Sequence, residues 1–137
     1  VYRQLVQIGS TNGNLHYYLG TVLRSQGKID AADSSFKRAI EYSPDHKEAL
    51  QSLGLIYLTQ SKYSDALPHF QKAMEVDSTF YPAWVTTGVC LAMTDQMAKA
   101  DTLHLDLIAK DSIMADQMIL LISQAMAKRE ARKKAGR

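Results

Sequence analysis

A chain of 137 residues with 46% hydrophobic residues, 22% charged residues and three prolines is sized for one compact unit. No apolar run approaches the roughly 20 residues of a membrane-spanning helix, and the greasiest stretch, Met118 to Ile122, is followed at once by Ser123 and Gln124. Of 16 basic and 14 acidic residues, positions 128–137 hold six and one, so a mildly acidic body of 10 against 13 carries a basic tail.

The chain opens at Val1 without an initiator methionine or a charged-then-apolar leader, which reads as a fragment or a processed form. The compartment is unknown from these residues, with the cytoplasm favoured. Residues 1–12 read as the end of a preceding helix and its turn, with Tyr2 and Leu5 at buried positions and Ser10 in the turn.

From Gly13 onward the chain repeats itself. Asn14-Leu-His-Tyr-Tyr-Leu-Gly20 aligns with Glu48-Ala-Leu-Gln-Ser-Leu-Gly54 and with Pro82-Ala-Trp-Val-Thr-Thr-Gly88, so a glycine recurs every 34 residues. Twelve residues after each glycine stand Ala32, Ala66 and Ala100, and four further on stand Phe36, Phe70 and His104. Ala39, Ala73 and Leu107 follow, then Pro44, Ser78 and Ser112 at the closing turn. The apolar spacing within a unit is helical, as in Ala32, Phe36, Ala39 and Ile40. Each unit predicts two antiparallel helices of about a dozen residues joined by a tight turn such as Ser25-Gln-Gly-Lys28 or Gln60-Ser-Lys62. The glycine is expected to face the alanine of the other helix, with the aromatic plugging the gap to the next unit.

The first unit spans 13–46, with His16 in place of a large apolar opener. The second, 47–80, is expected to open on a capping box of Asp45 and Glu48, and Pro68 in its second helix points to Ser64 as that helix's N-cap. The third, 81–114, is degenerate. Pro82 suits the first turn of its opening helix, and Trp84, Gly88, Leu91 and Ala100 are kept, but Thr87, His104, Leu107 and Ser112 break the pattern. Because Leu107 is far larger than an alanine, the second helix there is expected to pack at a shifted angle. Residues 115–137 predict one long capping helix with a basic end and a buried stripe of Met118, Leu121, Ile122 and Ala125.

The pattern resembles the tetratricopeptide repeat family, which places a large apolar residue, glycine or alanine, aromatics, small residues and a closing proline at these offsets. The resemblance covers residues 13–114 and implies an all-α fold: an α-solenoid of antiparallel helix hairpins, about three repeats with a C-terminal capping helix. It also implies a non-catalytic scaffold that binds a protein or peptide partner on its concave face. Carried across residue by residue, the family's groove positions are Asn14, Tyr17, Tyr18, Thr21 and Arg24 in the first repeat. The second supplies Gln51, Ser52, Leu55 and Leu58, and the third Val85, Thr86 and Val89. A tyrosine-rich entrance thus grades into an aliphatic floor suited to an extended or helical peptide with apolar side chains. Family members that hold chaperone tails use a clamp of lysine, asparagine and arginine; only Asn14 and Arg24 are of that type here, which argues against such a tail as the partner.

Other chemistry finds little support in the residues. His16, His46, His69 and His104 lack metal-ligand spacing, so no metal site is expected, and no cofactor either. Asp101 with His104 has no accompanying nucleophile, Gly9 to Gly13 lacks the phosphate-loop ending, and Cys90 reads as an inert buried thiol. The basic tail has no aromatic to stack on bases, which disfavours nucleic acid. A second function reading is self-assembly into a homo-oligomer through Met118, Ile119 and Leu120 on the last helix.

Overall fold

The computed structural model describes residues 12–136, so the helix end and turn expected for residues 1–12 fall outside it apart from Asn12. The described residues form seven helices and no strand: α1 Gly13–Ser25, α2 Ile29–Tyr42, α3 Lys47–Thr59, α4 Tyr63–Val76, α5 Tyr81–Met93, α6 Met97–Lys110 and α7 Ser112–Ala135. Helices α1 and α2, α3 and α4, and α5 and α6 pack as successive antiparallel hairpins.

The hairpin turns explain why two helices fit into each unit. Gly27, Ser61 and Asp95, again 34 residues apart, all take the left-handed conformation, with φ of 78°, 59° and 61°. In each case the next residue's N–H reaches back to a carbonyl in the last turn of the preceding helix: Lys28 to Leu23, Lys62 to Tyr57 and Gln96 to Leu91, at 2.8–2.9 Å. This geometry satisfies orphan carbonyls and reverses the chain. Only the first turn carries the glycine that advertises it.

Helix starts follow local chemistry, with two departures from expectation. Asn12 Oδ1 accepts from the Asn14 N–H at 2.9 Å, and Asp111 Oδ1 accepts from the Met114 N–H at 3.1 Å. The capping box at Asp45 does not form: the N-cap of α3 is His46, whose Nδ1 accepts the Ala49 N–H at 3.1 Å. That leaves Nε2–H to donate to Asn14 Oδ1 at 2.7 Å, which ties the first hairpin to the second. Ser64 is not the cap of α4, because the Ala66 N–H already bonds to the Lys62 carbonyl and the helix starts at Tyr63, with Pro68 inside it. Lys47 and Asp77 link the start of α3 to the turn before α5. The Lys47 ammonium, with the Thr79 hydroxyl and N–H, holds the Asp77 carboxyl well below the usual carboxylate range.

The core runs along the stack as a chain of clusters. At each of the first two glycines the space a side chain would need is filled by the aromatic of the same hairpin. A Cβ on Gly20 would lie 2.6 Å from Phe36 Cε1, and one on Gly54 2.5 Å from Phe70 Cε1. The expected facing of glycine and alanine is therefore replaced by glycine and phenylalanine, since a planar ring slides into a notch that only a missing Cβ leaves. Each ring also reaches the next hairpin, Phe36 toward Leu53 and Ile56 and Phe70 toward Cys90. His16 at the apolar opener position is buried and stacks on Tyr42, ring centroids 5.3 Å apart.

The third hairpin is built differently. His104 sits where Phe36 and Phe70 sit but is only half-buried, and α6 lies less closely along α5 than α2 lies along α1. The notch at Gly88 is filled instead from α7: a Cβ there would lie 2.5 Å from the sulfur of Met118, which is completely buried. Methionine suits the task because its unbranched thioether adapts to an irregular gap. Consequently α7 lies along α5, whereas α3 and α5, successive first helices, barely touch. Trp84, Leu107, Ala115, Met118 and Ile122 form the largest cluster in the chain.

Candidate functional site

The C-terminal parts of α3 and α5 and the C-terminal half of α7 enclose a cleft of about 390 Å³. Leu58 from α3, Val89 and Met93 from α5, and Leu121 and Ala125 from α7 give it an apolar lining. The polar part of the lining includes Thr86, Ser61, Tyr63 and three cations of α7, Lys128, Arg129 and Arg132. No aspartate or glutamate lines it.

The register of α7 determines this composition. Leu121, Ala125, Lys128 and Arg132 follow each other at helical steps of four and three, so the apolar stripe of the helix turns cationic as it leaves the core. Arg132 Nη1 donates to Ser61 Oγ at 3.1 Å, and Arg129 Nη1 lies 3.9 Å from Asp95 Oδ1. Both partners are the left-handed residues of hairpin turns, so α7 leans across the ends of the second and third hairpins. The basic end thus lies over the stack, and Lys128, Arg129 and Arg132, expected from the sequence only as part of a basic tail, line the cleft. The signal that could have found them was the continuation of the Leu121 and Ala125 stripe beyond the last apolar residue.

The positions expected in the groove divide into three groups. Leu58, Thr86 and Val89 come together in the cleft. Gln51, Ser52 and Val85 are buried and lie outside the lining of that cleft. Val85 belongs to the core cluster of α5 and α7, and Gln51 Nε2 donates to Thr86 Oγ1 at 3.2 Å, holding α3 to α5. Val85 is covered by α7, whereas Gln51 is covered by α5, whose Pro82 carbonyl and Thr86 hydroxyl it meets. Leu55 is half-buried against the cluster of Ala66, Phe70 and Cys90.

The expected entrance is used largely for internal bonding. Asn14 is held by His46, Tyr17 packs against Phe36 and His46, and the Arg24 guanidinium lies 5.7 Å from the centre of the Phe36 ring. Thr21 donates its hydroxyl to the Tyr18 carbonyl, and Tyr18, 53% exposed, is the most open aromatic of the set. On α7, Met118 cannot belong to a self-association face because it is buried against Gly88, whereas Ile119 and Leu120 are exposed.

A second, more open cleft lies between α4, α5 and α6, lined by Met74, Leu91 and Leu103 among others. It forms where Thr87 replaces the leucine found at the equivalent Leu19 and Leu53, and the buried Thr87 hydroxyl finds no partner there among the described residues.

Neither cleft contains a matched nucleophile and base. Cys90 is completely buried and burial pushes its thiol up to about 12, which leaves it protonated and unreactive at neutral pH. His69 is stacked on Tyr57, and burial, reinforced by Lys37, lowers its affinity for a proton. No group of three or more histidine, cysteine, aspartate or glutamate side chains is placed to hold a metal among the described residues, and no described helix is long and apolar enough to cross a membrane.

Comparison with known proteins gives the same architecture. A tetratricopeptide repeat family model matches residues 11–79, half of the chain. The chain is similar to BBSome complex member BBS4 of Bos taurus, with 36% identity over 70 residues that make up 51% of this chain and 14% of that protein. It is also similar to protein O-mannosyl-transferase TMTC2 of Homo sapiens, 34% identical over 99 residues, 69% of this chain and 12% of that protein. The stretches shared with these relatives are thus a small part of much longer proteins. Among solved structures, the first TPR of Spaghetti (RPAP3), bound to the HSP90 peptide SRMEEVD, superposes with a TM-score of 0.72 at 17% identity, over 85% of this chain and 94% of that one.

Proposed function

The chain belongs to the tetratricopeptide repeat family, and on that premise we propose that it is a non-catalytic interaction scaffold that seats a partner peptide in the cleft between α3, α5 and α7. The observation that carries this reading is the cleft itself: concave, largely apolar, and flanked by α5 and α7, which the packing of Met118 on Gly88 holds together. Leu58 and Met93 are half-buried there, which makes their remaining surface available to an apolar side chain of a partner. A fold neighbour described as holding a peptide is consistent with this use of the scaffold. A partner held at micromolar affinity, about −8 kcal/mol, would suit an adaptor.

Panning of phage-displayed random peptides against the chain tests the reading. Leu58→Asp with Met93→Asp should retain helical circular dichroism and lose the enriched peptides. Equal capture by the double variant would move the site elsewhere.

A second reading is favoured by a separate observation. Ile113, Leu120 and Ile119 on α7 and Leu105 and Ile108 on α6 are exposed, between 43% and 78% of their surface. Exposed apolar side chains on two adjacent helices of a solenoid suit a second copy of the chain. A monomer mass by light scattering at high concentration removes that reading.

A further inference from the structure

Resting on the peptide-cleft reading above, we infer that the occupant of the cleft is a peptide segment that carries a carboxylate beside an apolar side chain, read by the cations of α7. The inference starts from a charge imbalance. Among the described residues Lys128, Arg129 and Arg132 all line the cleft and no acidic residue does. Their existing partners are weak or missing. Arg132 is bonded to a neutral hydroxyl, that of Ser61, and Arg129 has one long contact of 3.9 Å to Asp95, itself 91% exposed. Arg129 Nε is buried without an acceptor among the described residues, and Lys128 has no ion-pair partner there.

Arg132, exposed beside an apolar floor and bonded only to a neutral hydroxyl, has N–H groups left for a planar anion that arrives attached to something greasy. A carboxylate accepts two parallel N–H bonds from such a group, a stronger and more directional contact than a single neutral hydrogen bond. The apolar lining of Leu58, Val89 and Met93 supplies the other half of the recognition, and at about 390 Å³ the cleft has room for one large side chain with its flanking backbone. A phosphate backbone would use the cations but leave the aliphatic lining in water. Among the described residues Tyr63 is the only ring in the lining, too few to stack successive bases. The chemistry therefore favours an acidic, apolar peptide over nucleic acid or an anionic membrane. The site differs from a clamp on the first helices, because its cations come from the helix that ends the stack.

Phage-displayed random peptides panned on the full chain, followed by anisotropy of fluorescein-labelled synthetic copies, test the inference. Enriched sequences should place Asp or Glu within a few residues of a Leu, Ile, Met or Phe. Replacing Lys128 and Arg132 by glutamine should weaken binding by about tenfold, and Lys128→Glu with Arg132→Glu by more, with the loss shrinking as salt rises. Both positions are on the outer part of α7, and circular dichroism checks the helix; if the reversed variant unfolds, the glutamine pair decides. Enrichment of apolar peptides without acidic residues, or an affinity unmoved by the glutamine pair, overturns the inference and leaves the peptide cleft standing. Failure to enrich any peptide overturns both. Preferential binding of a uridine dodecamer RNA or of phosphatidylserine vesicles, lost in the same variants, likewise overturns both and assigns the cations to a polyanion.

Discussion

Replacing Met118 by alanine isolates the contact on which the third hairpin depends. The side chain is completely buried, and the truncation removes three heavy groups from the notch above Gly88. At about 0.8 kcal/mol for each methylene-sized group the transfer loss is roughly 2.4 kcal/mol. Gly88 offers no side chain to collapse into the space, so a residual cavity of about 50 Å³ adds roughly 1 kcal/mol. A total near 3 kcal/mol corresponds to a fall in melting temperature of roughly 10 °C for a chain of this size. The loss should also be local. Hydrogen exchange of α5 and α7 should accelerate, while amides of α1 and α2, two hairpins away, keep their protection. Urea unfolding with exchange mass spectrometry reads both effects. A change below 1 kcal/mol, or a drop in oligomer mass at unchanged stability, would refute the assignment of Met118 as the plug and return it to the surface.

Three further outcomes follow from the same geometry. Gly54→Ala should destabilise by about 1–2 kcal/mol, since overpacking against the rigid Phe70 ring outweighs the helix-propensity gain near 1 kcal/mol, while Gly88→Ala should cost less because the Met118 thioether can shift; equal urea midpoints for the two variants would contradict this. His69 is lowered in the folded state, so its contribution is present above the unfolded value of about 6.5 and is lost as pH falls through the folded value. Urea midpoints should therefore decline on acidification below that pH, and His69→Gln should flatten that part of the profile. Cys90 should ignore a thiol reagent such as DTNB at pH 8 until the chain unfolds, and rapid stoichiometric labelling of the native protein would show that the thiol is not where the packing puts it.

Much of the fold was legible because it is periodic. Glycines 34 residues apart, each followed at a fixed offset by alanine and the first two also by phenylalanine, leave few alternatives to paired helices. Ser61 and Asp95 were invisible as left-handed turn residues because their side chains do not advertise that conformation, although their distance from Gly27 did. His46 was missed as an N-cap because a ring nitrogen is an uncommon acceptor there and Asp45 was the more conventional choice. The site was read less completely. Assigning groove positions by repeat register assumes that each first helix faces open space; Tyr18 is exposed, whereas Gln51, Ser52 and Val85 are buried. Where α7 lies is a long-range outcome of one notch and one methionine; the stripe from Leu121 and Ala125 to Lys128 and Arg132 marks one side of the helix but not what that side meets.

The exchange of partner at Gly88 bears on modularity. In the first two hairpins, glycine and ring belong to the same unit, so each carries its own keystone and could in principle be duplicated, deleted or moved as a cassette. The third borrows its keystone from beyond its own boundary. Cutting the chain after Lys110 would leave an open notch rather than a shorter array, and swapping α7 for an unrelated helix would remove the floor of the cleft and the support of α5 together. Evolution or a designer can therefore lengthen this molecule between its early hairpins, but must inherit residues 81–135 as one piece.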